Sequence, residues 1–536
     1  MITVLTLALG SLLAVELRLA PSTQPIFRDE TGERLPKADR ISLSLARNEH
    51  EGVQLVFLGG AEPQPAVRLE VSDLEGPGGA VLPAESIHWY VVGYIPTRKP
   101  EYQVLRVGDW PDPLLPARPF EIPAGQAQPI WIDVYAPEDL PAGTYRGHLR
   151  VVMDPPREVP WEVHVFDFIL PRSHHLKTAF SFSEKGYAQF YNVPFDWKST
   201  VLPPEVRRKI YGFLLDHRLD PTNLYRPFDY VRFPHDDDLA WCVERGLSAF
   251  QIGRLESTPE YGRFLRTYTA WLKARGWLQL AYIYGPDEIQ YRENYAELKA
   301  QVQRDCEFVH AIAPEVPVVG AIDLDPDLFG AIDIFCPVPQ RWDPALDRQV
   351  RAAGKEVWWY WCDGCERPGL YLDNPPLDAR LIPWMCRKYG ISGFLYYFIN
   401  YWSLNYAEPG QPRWPERPWD PRPPFRPERG TNGSGVLVYP GPTLGDLVSS
   451  IRLENFRDGL EDFEYFWLLE QALRKPGVPS SLRRLLTVPP QVLEDRFHFC
   501  EEERPLQAHR RKLASAIAMR PRGKVGLSSR EGNGGS

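Results

Sequence analysis

From His175 to about residue 400, short apolar runs alternate with amphipathic segments, and this alternation limits the fold more than any other feature of the chain. The stronger runs span residues 176–182, 247–253, 278–284, 316–322, 333–339, 357–361 and 391–399, and a weaker one lies at 221–225. Segments between them repeat apolar residues at intervals of three and four, as amphipathic helices do. Continuous apolar strands that alternate with helices indicate a parallel sheet covered on its outer face. Eight such units predict a (β/α)8 barrel over residues 173–430.

The chain on either side of this region predicts two further parts. Residues 16–172 contain short segments of alternating apolar and polar residues broken by proline and glycine, which is typical of an antiparallel β-sandwich. Residues 431–520 contain a strand pattern and helical patterns, which predict a small C-terminal cap, and the glycine-rich residues 521–536 predict a disordered tail. We therefore expect a multidomain protein of sandwich, α/β barrel and cap, because 536 residues are too many for one core.

The composition describes a folded protein and bears on its partners. Hydrophobic residues make up 43% and charged residues 24% of the chain, which excludes a largely disordered protein. The formal net charge of -9 provides no basic surface for phosphates, so no nucleic-acid partner is expected. The 17 tryptophans and 25 tyrosines suit the apolar faces of sugars as well as protein cores, and the core is the commoner use of any single one.

The first residues predict an export signal. Residues 2–15 form an apolar run of signal-peptide length that is too short for a membrane span, although only the amino terminus supplies positive charge ahead of it. A signal peptide over residues 1–15 would make the protein secreted or periplasmic, whereas a buried first strand would leave it cytoplasmic. No later run approaches the roughly 20 apolar residues of a transmembrane helix, so no membrane span is expected. The odd number of cysteines, seven, does not describe a disulfide framework.

The best candidates for catalysis are the adjacent acids Asp287 and Glu288. They follow an apolar run that ends at Tyr284 and a turn at Gly285 and Pro286. Barrel enzymes place catalytic groups at the carboxyl ends of strands, and this doublet occupies such a position. A helix cap with an acidic first turn would also explain the two acids.

The adjacency of the two acids favours one kind of chemistry. A conventional glycosidase needs its carboxyl groups on opposite sides of the scissile bond, about 5 to 9.5 Å apart. Neighbouring residues at one strand tip suit the substrate-assisted exception, in which the acetamido oxygen of the sugar is the nucleophile. In that mechanism Asp287 would hold the acetamide N–H, and Glu288 would protonate the leaving oxygen and then activate water.

Four segments resemble glycoside hydrolase family 123 and its relatives. They are YGPDE at residues 284–288, LARNEHEGVQLVF and PAGTYRGHLRV in the predicted sandwich, and the C-terminal SIRLENFRDGLEDFEYFWLL, in which RLENFRDGLEDFEY is the most specific part. The resemblance extends from about residue 20 to about residue 475. It implies a β-sandwich ahead of a barrel and an exo-acting β-N-acetylgalactosaminidase. It also implies that Asp287 and Glu288 take the substrate-assisted roles.

Aromatic and amide side chains at other strand ends are candidates for binding the sugar. In the run at 357–361, either Trp358 and Tyr360 or Trp359 and Trp361 must face inward. The predicted substrate-binding residues are Tyr284, Trp361, Tyr397, Asn400 and Trp402. The competing explanation is that these side chains only fill the mouth of the barrel.

Three other patterns do not predict chemistry. Asp323, Asp325 and Asp327 alternate as in a calcium loop, but the glycine and glutamate that an EF-hand requires at positions six and twelve are missing. Cys362 and Cys365 have no second pair at zinc spacing. The alternating charges of residues 452–464 indicate internal salt bridges that lock the cap to the barrel.

The sequence thus predicts a glycoside hydrolase that removes terminal β-linked N-acetylhexosamine with retention of configuration, without a metal or an organic cofactor. The substrate would be a glycan or glycoconjugate, and N-acetylgalactosamine is favoured by the resemblance alone. Two alternatives stay open: a glycosidase of other sugar specificity that uses Glu288 with a distant carboxylate, and a non-catalytic carbohydrate-binding or surface protein. The sequence leaves the oligomeric state open.

Overall fold

The computed structural model of the chain describes residues 14–402, 430–474 and 478–519. The predicted tail lies outside the described residues, as do the predicted signal peptide except its last two residues and most of the loop before residue 430.

Residues 16–169 form a β-rich domain of two sheets. Its strands are β1 Glu16–Pro21, β2 Ile41–Arg47, β3 Glu49–Leu58, β4 Gln64–Val71, β5 Leu74–Glu75, β6 Val81–Leu82, β7 Ile87–Pro96, β8 Asp109–Pro116, β9 Phe120–Ile122, β10 Ala127–Ala136, β11 Gly143–Val152 and β12 Arg157–Ile169. One sheet has the order β1-β3-β10-β7-β8, and the other has β2-β12-β11-β4-β9 with β5 and β6 at its side. Side chains of both sheets share one buried core, which confirms the predicted N-terminal β domain.

Alternation along β12 shows why this part of the sequence folds as half-buried strands. Val159, Trp161, Val163 and Val165 are buried, and the residues between them are more exposed. Because successive side chains of a strand point to opposite faces, this period of two places one face of β12 on the core and leaves the other to solvent.

Residues 177–396 form a parallel α/β domain. Its strands are β13 Lys177–Phe180, β14 Phe250–Arg254, β15 Ala281–Asp287, β16 Val318–Ala321, β17 Ile334–Phe335, β18 Glu356–Val357, β19 Trp359–Trp361 and β20 Gly393–Tyr396. They form two parallel sheets, β14-β15-β16-β17-β18 and β13-β20-β19. Each of the seven stronger apolar runs overlaps one of these strands, as predicted.

The two parallel sheets follow each other around an arc, but the arc is not closed. Residues 356–361 join the sheets, because β18 pairs with β17 while β19 pairs with β20. Beyond β13, the weak run contributes only an isolated parallel bridge between Ser181 and Thr222. No backbone ladder of the described residues joins Thr222 to β14. The closed (β/α)8 barrel that the sequence predicts is therefore not confirmed.

The helices of the described chain alternate with these strands and continue into the C-terminal segment. They are α1 Glu184–Phe190, α2 Pro204–Asp216, α3 Leu239–Glu244, α4 Pro259–Ala274, α5 Tyr295–Ile312, α6 Pro344–Ala352, α7 Pro376–Tyr389, α8 Ile451–Leu473 and α9 Arg504–Ala518. Two short strands, β21 Tyr439–Pro440 and β22 Leu447–Val448, precede α8. Among the described helices, none combines the length and the apolar character that crossing a bilayer requires.

Helix α8 lies between the two larger domains, within the segment that the sequence places in a small cap. Its first turn is capped by the side chain of Ser450, which accepts a hydrogen bond from the Leu453 amide. Arg452 and Arg457 form buried ion pairs with Asp112 and Asp133 of the β domain, at 2.8 and 3.0 Å. The predicted internal salt bridges are therefore confirmed, and they reach the sandwich as well as the α/β domain.

A buried charge cluster joins three parts of the chain and consists of Glu49, Glu51, Arg380, Asp458, Asp462 and Arg510. Arg380 of α7 lies 2.9 Å from Glu51 and 2.9 Å from Asp462. Burial raises the pKa of Glu49 to about 7 although Arg510 lies beside it. The cluster contains four carboxyl groups but only two arginines, so protonation of Glu49 lowers its excess of negative charge.

We expect Arg380→Met to lower the free energy of unfolding by about 3 kcal/mol, because it leaves buried carboxylates without their counter-charge. Urea denaturation measures the change. The matched control is Arg263→Met, which breaks an exposed pair with Glu260, and there the loss should stay below about 1 kcal/mol. Equal, small losses in both variants would show that the cluster does not hold the domains together.

Candidate active site

The backbone at the end of β15 presents Asp287 and Glu288 at the strand tip. Gly285 has a φ of 132°, and a Cβ atom there would lie 3.1 Å from the Leu255 Cβ, so the turn requires glycine. Glu288 has left-handed backbone angles, with φ 52° and ψ 33°, which a residue with a Cβ adopts rarely. Its amide donates to the Ala321 carbonyl of β16 at 2.8 Å, and this bond holds the turn against the neighbouring strand.

Asp287 is held by the tyrosine that precedes the turn. The Tyr284 hydroxyl donates to Asp287 Oδ1 at 3.0 Å. Burial raises the pKa of Asp287 above its usual value, the Tyr284 hydrogen bond lowers it, and the negative charge of Glu288 raises it again. Asp287 is therefore protonated at a higher pH than an ordinary aspartate.

Glu288 is held by a tyrosine from the other parallel sheet. The Tyr360 hydroxyl of β19 donates to Glu288 Oε1 at 2.8 Å. Burial raises the pKa of Tyr360 far above its ordinary value, so the phenol keeps its proton and stays a donor. The two neighbouring carboxyl groups thus have separate partners, which fits separate tasks.

We expect Tyr284→Phe to move the acid limb of the pH profile of kcat/KM to higher pH. The hydrogen bond from Tyr284 lowers the pKa of Asp287, and its loss lets burial raise that pKa further. If activity needs Asp287 as an anion, activity is then lost at a higher pH as the solution is acidified. Tyr282→Phe is the matched control, because Tyr282 is equally buried on the same strand but its hydroxyl contacts Thr222. Identical acid limbs in both variants would rule out this role.

A chain of aromatic rings leads away from Asp287. Tyr225 lies 6.4 Å from Tyr284 and 5.2 Å from Phe398, measured between ring centroids. Phe398 in turn lies 5.9 Å from Tyr397 and 5.3 Å from Tyr401. Two of the predicted substrate-binding residues, Tyr284 and Tyr397, therefore belong to one chain of packed aromatic rings that begins beside the doublet. Contact of either ring with a sugar stays a prediction.

Trp361 lies on the face of β19 opposite to Tyr360. It is buried against Tyr371 and Tyr396, at centroid distances of 4.4 and 6.0 Å. Successive side chains of a strand face opposite sides, so Tyr360 and Trp361 cannot both reach the doublet. The side chain that contacts Glu288 is Tyr360, and a substrate contact of Trp361 stays a prediction that its position does not favour.

Asn400 and Trp402 are buried, and they use their side-chain polar groups within the fold. The Asn400 amide donates to the Ser183 carbonyl at 2.9 Å and accepts from the Ser183 N–H at 2.7 Å. Trp402 Nε1 donates to the Val438 carbonyl at 2.9 Å. These contacts hold the loop after β20 against α1 and the segment before β21, and roles in binding sugar stay predictions.

Three residues near the doublet were not among the site residues predicted from the sequence. They are Tyr360, Tyr225 and Arg254, the last residue of β14, whose positive charge lowers the pKa of Asp287. Each lies at or just beyond the carboxyl end of an apolar run, which is the signal that could have found them. In the described ranges, no group of three or more His, Cys, Asp and Glu side chains is arranged as metal ligands.

Family models match two parts of the chain. The glycoside hydrolase 123 N-terminal domain matches residues 27–153, and the glycoside hydrolase 123 catalytic domain matches residues 252–469, which include the doublet. Together the two matches cover more than half of the chain. A comparison with curated proteins finds no match.

Solved structures provide the second comparison. A family 123 glycoside hydrolase from Clostridium perfringens, studied for glycolipid glycan hydrolysis, superposes with a TM-score of 0.68 at 14% identity, over 94% of this chain and 98% of its own. A Parabacteroides merdae β-glucuronidase reaches a TM-score of 0.28 at 9% identity, over 79% of this chain and 50% of its own. A Bacteroides ovatus GH5 xyloglucanase reaches 0.27 at 8% identity, over 83% and 99%. Only the first superposition shows a shared overall fold.

Proposed function

Because the chain belongs to glycoside hydrolase family 123, we propose that it removes terminal β-linked N-acetylhexosamine by a retaining, substrate-assisted mechanism, with N-acetylgalactosamine as the preferred sugar. The observation that supports this most is the adjacent carboxyl pair at the tip of β15, in which each acid has its own tyrosine donor. Two acids at one strand tip are poorly placed on opposite faces of a sugar, as direct displacement would require.

Asp287 acts on the acetamido group of the departing sugar. As an anion it accepts the acetamide N–H and turns the carbonyl oxygen of the same group toward the anomeric carbon. Positive charge develops on the acetamide as that oxygen attacks, and the nearby carboxylate stabilises it. The Tyr284 hydroxyl fixes the orientation of the carboxylate.

Glu288 transfers protons in both steps. In the first, it gives its proton to the glycosidic oxygen as the bond from that oxygen to C1 breaks and the acetamido oxygen bonds to C1. In the second, its carboxylate takes a proton from water, whose oxygen attacks C1 and opens the oxazoline ring. Two inversions at C1 give net retention, and Tyr360 keeps the Glu288 carboxyl group in place throughout.

The test is hydrolysis of a set of 4-nitrophenyl β-glycosides that differ only at C2 and C4. We expect turnover of the 2-acetamido sugars, galacto above gluco, and initial release of the β-anomer in proton NMR spectra. Hydrolysis of the 2-hydroxy sugars at equal rates, or initial release of the α-anomer, would contradict the substrate-assisted mechanism.

A further inference from the structure

We propose that Cys362 and Cys365 are a site of thiol oxidation at the edge of the active site. Cys362 reacts with a small disulfide, and Cys365 then displaces the adduct to form an internal disulfide bond. The spacing of the two cysteines does not by itself predict chemistry, but the fold places them beside the doublet. The bond is independent of the proposed function, and only its effect on activity rests on that function.

The two cysteines begin and end one tight turn. The Cys365 amide donates to the Cys362 carbonyl at 3.3 Å, which closes a turn of four residues. Gly364, the third residue of the turn, has a φ of 86°, a conformation that favours glycine. The end Cα atoms of such a turn lie less than about 7 Å apart, and a disulfide bond spans about 4.4 to 6.8 Å between the same atoms. A bond between these residues therefore needs little movement of the backbone.

The side chains of the two cysteines are close within this turn. Cys365 Sγ accepts a hydrogen bond from the Cys362 amide at 3.4 Å, so it lies next to the residue with which it would bond. The Tyr371 hydroxyl accepts from the Gly364 amide at 2.7 Å and donates to the Cys362 carbonyl at 3.4 Å. The turn therefore holds the two cysteines close together before any bond forms.

Cys362 directly follows β19 and lies on the side of that strand that contacts Glu288. Tyr360 donates to Glu288 at 2.8 Å, and side chains two positions apart in an extended chain point to the same side. A hydrogen bond with Cys365 raises the pKa of Cys362, as do burial and the negative charge of Glu288, which places the carboxylate near the thiol. Cys362 is partly exposed, whereas Cys365 is buried. A small reagent therefore reaches Cys362 first, beside the proposed acid.

The proposed reaction has two steps and consumes one molecule of a small disulfide. The Cys362 thiol loses its proton, and its sulfur attacks one sulfur of the reagent, which releases one half as a thiol and leaves the other half bonded to Cys362. The Cys365 sulfur, after loss of its proton, then attacks Cys362 Sγ and releases the second half as a thiol. Two protein thiols are oxidised to one disulfide bond, and the reagent is reduced to two thiols.

Both the rate and the end point of this reaction follow from the state of Cys362. A thiol with a raised pKa stays protonated at neutral pH, and the thiolate is the form that attacks, so the reaction is slow. For the same reason, ionisation of Cys362 does not stabilise the reduced pair, as it does in strongly oxidising dithiols. The end point of the reaction, and not its rate, is therefore the quantity to measure.

The test maps the thiols after the whole protein has been incubated with hydroxyethyl disulfide until the reaction stops. Trypsin should release residues 356–380 as one peptide with both cysteines, because Pro368 follows Arg367. We expect this peptide to have lost two hydrogen atoms in the wild-type protein, and to carry one hydroxyethylthio group on Cys362 in Cys365→Ser. Serine keeps an acceptor for the Cys362 amide, so the turn is preserved.

The adduct should also slow hydrolysis, because it lies beside Glu288. In Cys365→Ser, kcat/KM for an aryl glycoside of N-acetylgalactosamine should fall at least about tenfold relative to the untreated variant, and dithiothreitol should restore it. The oxidised wild-type protein should keep its kcat/KM within about twofold, because the turn is already closed before oxidation.

Cys500→Ser is the matched control. Cys500 is also partly exposed, and burial raises its pKa to about 11, but it lies outside the turn. In this variant the peptide of residues 356–380 should still lose two hydrogen atoms.

Two free thiols, or a lasting adduct on Cys362, in the wild-type peptide would overturn the internal disulfide. An unchanged kcat/KM in Cys365→Ser with the adduct in place would overturn the effect on the active site. A wild-type protein that cleaves no glycoside would overturn the proposed function, and the peptide masses would still decide whether the disulfide forms.

Discussion

Glu288→Gln is expected to lower kcat/KM about 1000-fold for a disaccharide whose leaving group is a sugar. A sugar alkoxide is a poor leaving group and needs the proton of Glu288, and general acid catalysis typically contributes about 100- to 10,000-fold. For a 2,4-dinitrophenyl glycoside the first step needs little protonation, so the loss in kcat/KM should be about tenfold or less. Glutamine keeps the size of the side chain and can still accept the Tyr360 hydrogen bond.

The comparison of the two substrates separates this role from a structural one. Glu293→Gln is the matched control, because Glu293 is exposed five positions further along the chain and should leave both rates near those of the wild-type protein. Equal losses on both substrates in Glu288→Gln would show that this residue does not act as the acid.

Asp287→Asn is expected to lower kcat/KM about 1000-fold on both substrates. Both pass through the step in which the acetamido oxygen attacks C1, and the change removes the anion that stabilises the developing charge. Leaving-group quality does not alter this requirement, so the loss should be nearly the same for the disaccharide and the dinitrophenyl glycoside. Kinetics of the two substrates with one purified variant measure it.

The contrast with Glu288 makes this second prediction specific. Asp327→Asn, at an exposed position on the same side of the sheet, is the matched control and should retain wild-type rates. Full activity of Asp287→Asn on the activated glycoside would remove Asp287 from the acetamide step.

The strands of the α/β domain could be predicted because they are buried on both faces. Runs such as residues 316–322 and 391–399 are almost entirely apolar, and β16 and β20 lie inside them. The run at 221–225 is shorter and contains Pro221, and only Thr222 forms a bridge. The first and last strands, β13 and β20, pair in parallel, so the arc is open at this weak run, where no ladder of the described residues reaches β14.

The site could be predicted in part. The position of Asp287 and Glu288 at a strand tip follows from the end of the apolar run at Tyr284. The sequence did not predict which side of the run at 357–361 faces the doublet. Aromatic side chains occupy both faces of this strand, so the alternation of side chains allows two orientations. The structure places Tyr360 against Glu288 and Trp361 on the opposite face, and the sugar contact of Trp361 stays a prediction.

The most specific segment of the family resemblance, RLENFRDGLEDFEY, forms buried ion pairs that connect parts of the fold. Asp458 and Asp462 of this segment share Arg380 with Glu51, which lies in the LARNEHEGVQLVF segment of the β domain. Two of the segments that carry the family resemblance therefore meet in one buried charge cluster. Alternating charge predicted ion pairs, but partners about 400 positions away in the chain cannot be read from local spacing.

Inhibition by the thiazoline analogue of the N-acetylgalactosamine oxazoline tests the central claim most directly. This analogue reproduces the cyclic intermediate that forms only if the acetamide attacks C1, and Asp287 and Glu288 would both contact it. We predict competitive inhibition at least about 100-fold tighter than that by free N-acetylgalactosamine, as for transition-state analogues in general, and loss of most of that advantage in Asp287→Asn. Inhibition no tighter than that by the free sugar would contradict the account.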